Sequence, residues 1–158
     1  MRLENYIRAV EDFPIEGIIY RDIQPLLENE FAFKSAITEL RALTVQPDYW
    51  VGIDSRGFIF ASALSVRFGG GLKLIRKKGK LPNENLHSIS YGLEYGEDVI
   101  EMKEGSGTVV IVDDVYATGG TMTAAKTLCE SAGYKVLDTI CLLDVGIVKH
   151  DTRCAIYY

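Results

Sequence analysis

Apolar positions recur along this chain with two periods, and the changes between them mark out its elements. Arg2 to Val10 carries apolar residues at helical spacing, which predicts a helix that Pro14 and Gly17 bring to a stop. Residues 18–27 read as irregular or short-stranded. Phe33, Ile37, Leu40 and Leu43 share one face of a predicted helix over Phe31 to Thr44, and Val45-Gln46-Pro47-Asp48 ends it. Tyr49 to Ile53 then reads as a buried strand, Phe58 to Phe68 as a helix and Gly71 to Ile75 as a second strand, together a β-α-β unit. Lys77 to Ser88 is polar, with Gly79, Pro82 and two Asn, and predicts a long mobile loop. Ile89 to Leu93 and Val99 to Lys103 alternate as a hairpin would. Thr108 to Val112 is an unbroken β-branched run, Thr121 to Ala132 a helix stopped by Gly133, Val136 to Leu143 a further buried strand and Ala155 to Tyr158 a short edge strand. Strands alternating with helices predict an α/β fold on a mainly parallel sheet, with helices on both faces.

Composition narrows the class. A chain of 158 residues has the length of one domain, and 47% hydrophobic with 25% charged residues is ordinary for a globular protein. No apolar run approaches the roughly 20 residues of a membrane span, and the N-terminus lacks the apolar core of a signal peptide, so no membrane partner and a cytoplasmic location are expected. Cys129, Cys141 and Cys154 are odd in number and set in apolar stretches, which predicts core thiols. A net charge of −5 argues against nucleic acid as a partner. The cationic group Arg76, Lys77, Lys78 and Lys80, just after an apolar strand, is the local exception, and suits a polyanionic small molecule.

The chemistry concentrates in residues 109–121. The strand runs into Asp113 and Asp114, then into the small-residue turn Ala117-Thr118-Gly119-Gly120-Thr121 and a helix start. Small residues let backbone N–H groups approach an anion, and a helix N-terminus favours negative charge, so a phosphate is expected there. Two carboxylates beside that phosphate make sense when ribose hydroxyls or a hydrated Mg²⁺ intervene, which together describe a sugar phosphate. Neither a Walker loop nor a dinucleotide fingerprint is present.

This segment resembles the phosphoribosyl-pyrophosphate motif of type I phosphoribosyltransferases, and four further segments, in order from Phe13 to Leu143, resemble the adenine phosphoribosyltransferase family. Phe13 to Asp22 is similar to its base-binding segment, within a small hood over about residues 1–27. The resemblance implies that Tyr20 stacks on the purine while the backbone of Ile19 and Arg21 meets its edge. Gly52 to Phe58 is similar to the pyrophosphate loop, which implies a non-proline cis peptide at Asp54–Ser55 and assigns Ser55 and Arg56 to pyrophosphate. Arg76 to Pro82 opens, and Leu93 to Gly96 closes, a segment similar to the family's flexible catalytic lid, over about residues 77–103 with its hairpin. That implies pyrophosphate contacts from Arg76, Lys77 and Lys80, an acid/base role for Glu94 and a lid position for Tyr95.

The implied reaction is adenine plus 5-phosphoribosyl 1-pyrophosphate giving AMP and pyrophosphate, in a homodimer, with Mg²⁺ held through the substrate and at Asp113 and Asp114. Catalysis would fall to Glu94, Arg56, Asp113 and Asp114, and ribose-phosphate binding to Ala117 through Thr121. Two rival readings remain at this level. Related enzymes for hypoxanthine or xanthine carry Asp where this chain has Ala117. A regulator that only senses phosphoribosyl pyrophosphate would need a DNA-binding module or basic face. The two histidines stand outside these motifs, His87 as a solvated lid residue and His150 near the carboxyl end.

Overall fold

The computed structural model describes residues 1–93 and 96–158, with Leu93 described in its backbone alone. Two compact units divide the chain, Met1–Glu39 and Leu40–Tyr158.

The first unit opens with a 3-10 turn, Leu3–Tyr6, followed by β1 (Arg8–Glu11), β2 (Ile19–Asp22), α1 (Gln24–Glu28) and most of α2 (Glu30–Ala42). A helix over Arg2 to Val10 is therefore not formed. β1 and β2 pair antiparallel, Arg8 opposite Asp22 and Val10 opposite Tyr20, and the Arg8 guanidinium lies 3.5 Å from the Asp22 carboxylate. A helical run of nine residues is too short to hold itself, and strand pairing overrides its spacing. The region expected to be irregular or short-stranded holds the short strand β2, and then α1, which the pattern does not predict, with Pro25 in its first turn, where the missing N–H costs nothing.

The second unit is a seven-stranded sheet, built from β3 (Tyr49–Ile53), β4 (Gly71–Lys77), β5 (Leu86–Leu93), β6 (Gly96–Lys103), β7 (Gly107–Tyr116), β8 (Tyr134–Asp144) and β9 (Arg153–Tyr157), with α3 (Gly57–Phe68) and α4 (Gly120–Ser131) as crossovers. Its order is β5-β6-β4-β3-β7-β8-β9. From β4 to β9 the neighbours are parallel, and the β5–β6 hairpin joins β4 antiparallel at the edge. Because β3→β4 steps one way along the sheet and β7→β8 the other, right-handed crossovers put α3 and α4 on opposite faces. On one face Val51, Ile53, Val109 and Ile111 pack with Met122, Ala125, Leu128 and Cys129 of α4. On the other, Gly52 lets α3 come close, since a Cβ there would stand 3.1 Å from Ala61 Cβ and from the Gly57 carbonyl. The reversal point, between β3 and β7, is where open α/β sheets bind ligands beyond the strands' carboxyl ends.

Three expectations are corrected. β7 does not stop at Val112: β8 continues the ladder until Asp144 faces Tyr116, so both acids lie inside the strand. The long loop is shorter than Lys77 to Ser88, because Lys77 closes β4 and Leu86 already pairs with Lys103, leaving 78–85 outside regular structure. The hairpin strands are correspondingly longer, with Leu93 opposite Gly96. All three cysteines are free and buried.

Candidate active site

Two loops meet at the reversal point. The first leaves β3 at Ile53, passes through a cis peptide at Asp54–Ser55 and enters α3 at Gly57. Here the motif's expectation of a non-proline cis bond holds. Gly57 is required by proximity, since a Cβ on it would lie 2.8 Å from the Val112 carbonyl and 3.1 Å from Asp113 Oδ1. The start of α3 thus abuts the acid pair.

The second loop leaves β7 at Tyr116 and enters α4 through Gly119, the N-cap, whose φ of 91° lies in the left-handed region that glycine adopts without strain. α4 has no acid in its first turn, so its dipole is uncompensated at the end facing the turn. Ala117, Thr118 and Gly120 are exposed. With Asp113, Tyr116 and Thr121 they border a small cavity of about 80 Å³, at the turn where the sequence predicts an anion cradle.

A cleft of about 240 Å³ joins these loops, bordered by Ser55, Arg56, Lys77, Tyr91, Asp113, Asp114 and Thr121. The cleft and the cradle share Asp113 and Thr121. Six motif residues assigned on separate grounds are therefore brought to one hollow, together with Tyr91, which no sequence motif singled out. Its hydroxyl lies 3.3 Å from Asp98 Oδ2, and Asp98 is also the ion-pair partner of Lys77. The alternation of β5 could have pointed to Tyr91 as an inward residue, but not to the cleft.

Charge in this cleft is arranged unevenly. Asp114 is buried, and its Oδ2 lies 2.5 Å from Arg56 Nε. Asp113 accepts a hydrogen bond from the Asp114 N–H at 2.9 Å. Burial first, and then the neighbouring Asp114 carboxylate, push the Asp113 carboxyl well above the ordinary carboxylate range. Arg56 opposes this shift but is engaged by Asp114, so further positive charge arriving beside Asp113 would favour its ionised form.

Of the cationic residues Arg76, Lys77 and Lys80 assigned to pyrophosphate, Lys77 alone lines the cleft. Arg76 points its Nε to Asp54 Oδ2 at 3.4 Å and stacks its guanidinium 5.8 Å from the centre of the Phe58 ring, outside the cleft lining. Lys77 borders the cleft and pairs with Asp98, an interaction that raises the lysine against the opposing effect of burial, the largest single influence on it. Lys80 is exposed on the 78–85 loop. That loop is tied back to β6: buried Glu101 accepts hydrogen bonds from the Gly79 N–H at 2.7 Å and the Ser88 hydroxyl at 2.9 Å. Ile19, Tyr20 and Arg21 stand on β2 of the first unit, with the Phe13 and Tyr20 rings edge to face at 5.1 Å. Glu94 and Tyr95 lie outside the described residues.

His87 sits 3.4 Å from Glu104 on the hairpin, as a lid surface residue would. His150, which stands outside every motif, is held more closely. Its side chain is 7% exposed, stacks on Tyr116 with ring centres 3.6 Å apart, and meets Asp144 Oδ2 at 2.9 Å. Sequence gave no sign of it, because the partner strands meet only in the folded sheet.

The chain matches the phosphoribosyl transferase domain family over residues 23–153. It is 49% identical over 147 residues to the adenine phosphoribosyltransferase of Hydrogenovibrio crunogenus, covering 90% of this chain and 85% of that one. Its structure is similar to the crystal structure of adenine phosphoribosyltransferase from Rhodothermus marinus, with TM-score 0.88, 36% identity and coverage of 99% and 96%. It is likewise similar to the Saccharomyces cerevisiae enzyme in complex with adenine and an imino-altritol bisphosphate, with TM-score 0.86, 32% identity and coverage of 96% and 94%.

Proposed function

The chain belongs to the phosphoribosyltransferase family, among the adenine phosphoribosyltransferases, and from that premise we propose how its cleft carries out the transfer. The reaction takes adenine and 5-phosphoribosyl 1-pyrophosphate to AMP and pyrophosphate: the C1′–O bond to pyrophosphate breaks, the C1′–N9 bond forms, and the N9 proton leaves. The observation that carries the reading is the adjacency of two hollows, the cavity at 117–121 and the cleft at 54–56, which share Asp113 and Thr121.

In this proposal the 5′-phosphate sits on the N-terminus of α4, against the exposed backbone of Thr118 to Gly120 and the Thr121 hydroxyl. The ribose then lies over Asp113 and Asp114. Positive charge builds on the sugar as the C1′–O bond lengthens, as it does in glycosidic cleavage. Asp113, a carboxyl kept from ionising easily by burial, gains most from charge arriving beside it, so it favours the transition state over the ground state. Arg56 holds Asp114 and, with Ser55 and Lys77, borders the space for the departing pyrophosphate. Arg76 and Lys80 keep their pyrophosphate assignment on sequence resemblance, and so do Ile19, Tyr20 and Arg21 for the base and Glu94 as acid/base, with Tyr95 in the lid. Ala117 leaves the cradle without the carboxylate that 6-oxopurine enzymes carry there.

Magnesium belongs to the same proposal. Among the described residues no cluster of three or more His, Cys, Asp or Glu stands ready to cage a metal. The pair Asp113 and Asp114 suits an ion that keeps most of its ligands as water and substrate oxygens. When bound, Mg²⁺ would neutralise charge on the pyrophosphate. A homodimer is proposed through α3, where Val66 is 89% exposed and Phe58 and Ile59 are half-buried, although Phe60 and Leu64 are taken into the chain's own core. No described helix is long and apolar enough to cross a membrane, and the cytoplasm remains the proposed location.

The test is a panel of labelled bases incubated with 5-phosphoribosyl 1-pyrophosphate and Mg²⁺. Adenine should give AMP with one pyrophosphate released per turnover. Equal or faster use of hypoxanthine would overturn the base assignment.

A further inference from the structure

The last residue of β7, Tyr116, is the hinge between the acid pair and the phosphate cradle, and it is clamped on two sides. A Cβ on Gly119 would stand 2.3 Å from the Tyr116 hydroxyl, so the phenol lies directly beneath the turn. On its other side lies the His150 imidazole, with the rings 21° from parallel. His150 is in turn fixed by Asp144, the residue opposite Tyr116 in the β7–β8 ladder. Asp144 is buried and fully engaged: Oδ2 meets His150 Nε2, Oδ1 accepts from the Gly146 N–H at 2.8 Å, and its carbonyl accepts from the Tyr158 N–H at 3.0 Å. The Val145 N–H returns to the Tyr116 carbonyl at 3.1 Å.

An imidazole is a poor choice for filling space here. His150 Nδ1 is buried with no hydrogen-bond partner among the described residues, an unfavourable state that a leucine would avoid. What the imidazole supplies and an aliphatic side chain does not is a flat face on the phenol and a ring nitrogen held by Asp144. We propose that His150 is a positioning residue for ribose-phosphate binding: anchored by Asp144, it fixes the Tyr116 ring beneath Gly119 and so sets the geometry of the 117–121 cradle. This rests on the reading of that cradle as the 5′-phosphate site, and extends it to His150 and Asp144, which line neither the cradle nor the cleft.

The experiment compares His150→Leu, which keeps volume but removes the flat face, with His150→Phe, which keeps the face but loses the Asp144 bond. His150→Leu should raise KM for 5-phosphoribosyl 1-pyrophosphate about five- to tenfold, the scale of one aromatic pair, with kcat and the adenine KM within about twofold of wild type. His150→Phe should recover only part of that loss, because the flat face returns without the Asp144 anchor. Calorimetric titration with ribose 5-phosphate should show the same contrast without turnover, so the inference is testable even if the adenine reaction itself is not found. Wild-type affinity for ribose 5-phosphate in His150→Leu, equal weakening in both variants, or a fall in kcat alone with a lowered melting temperature would each overturn it. The last pattern is what a merely structural histidine would give.

Discussion

Asp113 shows how a single residue serves the site against the interest of the fold. Its folded pKa is raised, so the native state binds its proton more tightly than the unfolded chain does, and stability falls as pH rises from about 4, the unfolded value, up to the folded one. At neutral pH the energy of keeping this carboxyl buried beside Asp114 therefore weakens the unliganded protein relative to pH 4. Asp113→Asn should raise the melting temperature at pH 7, with the gain shrinking as pH is lowered toward 4, measured by calorimetry across that range. The double change with Asp114→Asn should leave a folded protein whose kcat is lower by roughly 10²-fold or more, the scale of removing a preorganised electrostatic group. An unchanged kcat would show that the acid pair has another use. Glu94→Gln is expected to reduce kcat far more than affinity for 5-phosphoribosyl 1-pyrophosphate, because its proposed role concerns the purine proton and not the phosphates. Separate measurement of kcat and of ribose-phosphate binding decides this, and full kcat with lost phosphate affinity would make it a structural acid. That the acid pair, the small-residue turn and the Arg following β3 belong near one another was legible in the sequence, since these residues carry their chemistry in their spelling, whereas Glu94 rests on resemblance. Tyr91 and His150 were not, since each acquires its place from a strand far off in the chain.

Among the elements, the hydrophobic pattern located all the strands of the parallel core and the helices that follow β3 and β7, but strand ends and the first residues escaped it. The reason is the same in each case. β7 runs on through Asp113 because β8 is there to pair with it, β5 begins at Leu86 because β6 extends to Lys103, and Arg8 to Glu11 becomes a strand because Ile19 to Asp22 lies opposite. Pairing partners are tertiary information, and a single stretch of sequence does not hold it. The 78–85 loop, expected to be wholly mobile, is held near both ends by Glu101, a buried acid on β6. Glu101→Ala should therefore speed amide exchange at Gly79 by roughly tenfold, the worth of a lost hydrogen bond to a charged group, while the amides of β3 and β7 keep their protection. Unaltered exchange at Gly79 would show that the loop is held by something else.

For the molecule as a whole, the proposed dimer gives a direct expectation: light scattering at micromolar concentration should report twice the 17.6 kDa of one chain, and Val66→Asp on the exposed face of α3 should shift it toward the monomer. A monomeric mass for the unaltered protein would count against this use of α3. The central strand pair has a further consequence, for the order of events in folding. Asp48 and Thr108 stand at the entrances of β3 and β7 and exchange hydrogen bonds, each from a backbone N–H to the other's side chain at 2.9 Å, across a separation of 60 residues. Closing so long a stretch costs entropy before any contact repays it, and such non-local parallel pairing is slow. During synthesis the β3, β4, β5 and β6 segments leave the ribosome before β7 exists, so β3 remains an open sheet edge until the later strand pairs with it. The two loops that border the cleft follow β3 and β7, the strands on either side of that seam. An early, partly assembled chain therefore has only half of the cleft, and the ability to bind ribose phosphate waits on the pairing of β3 with β7.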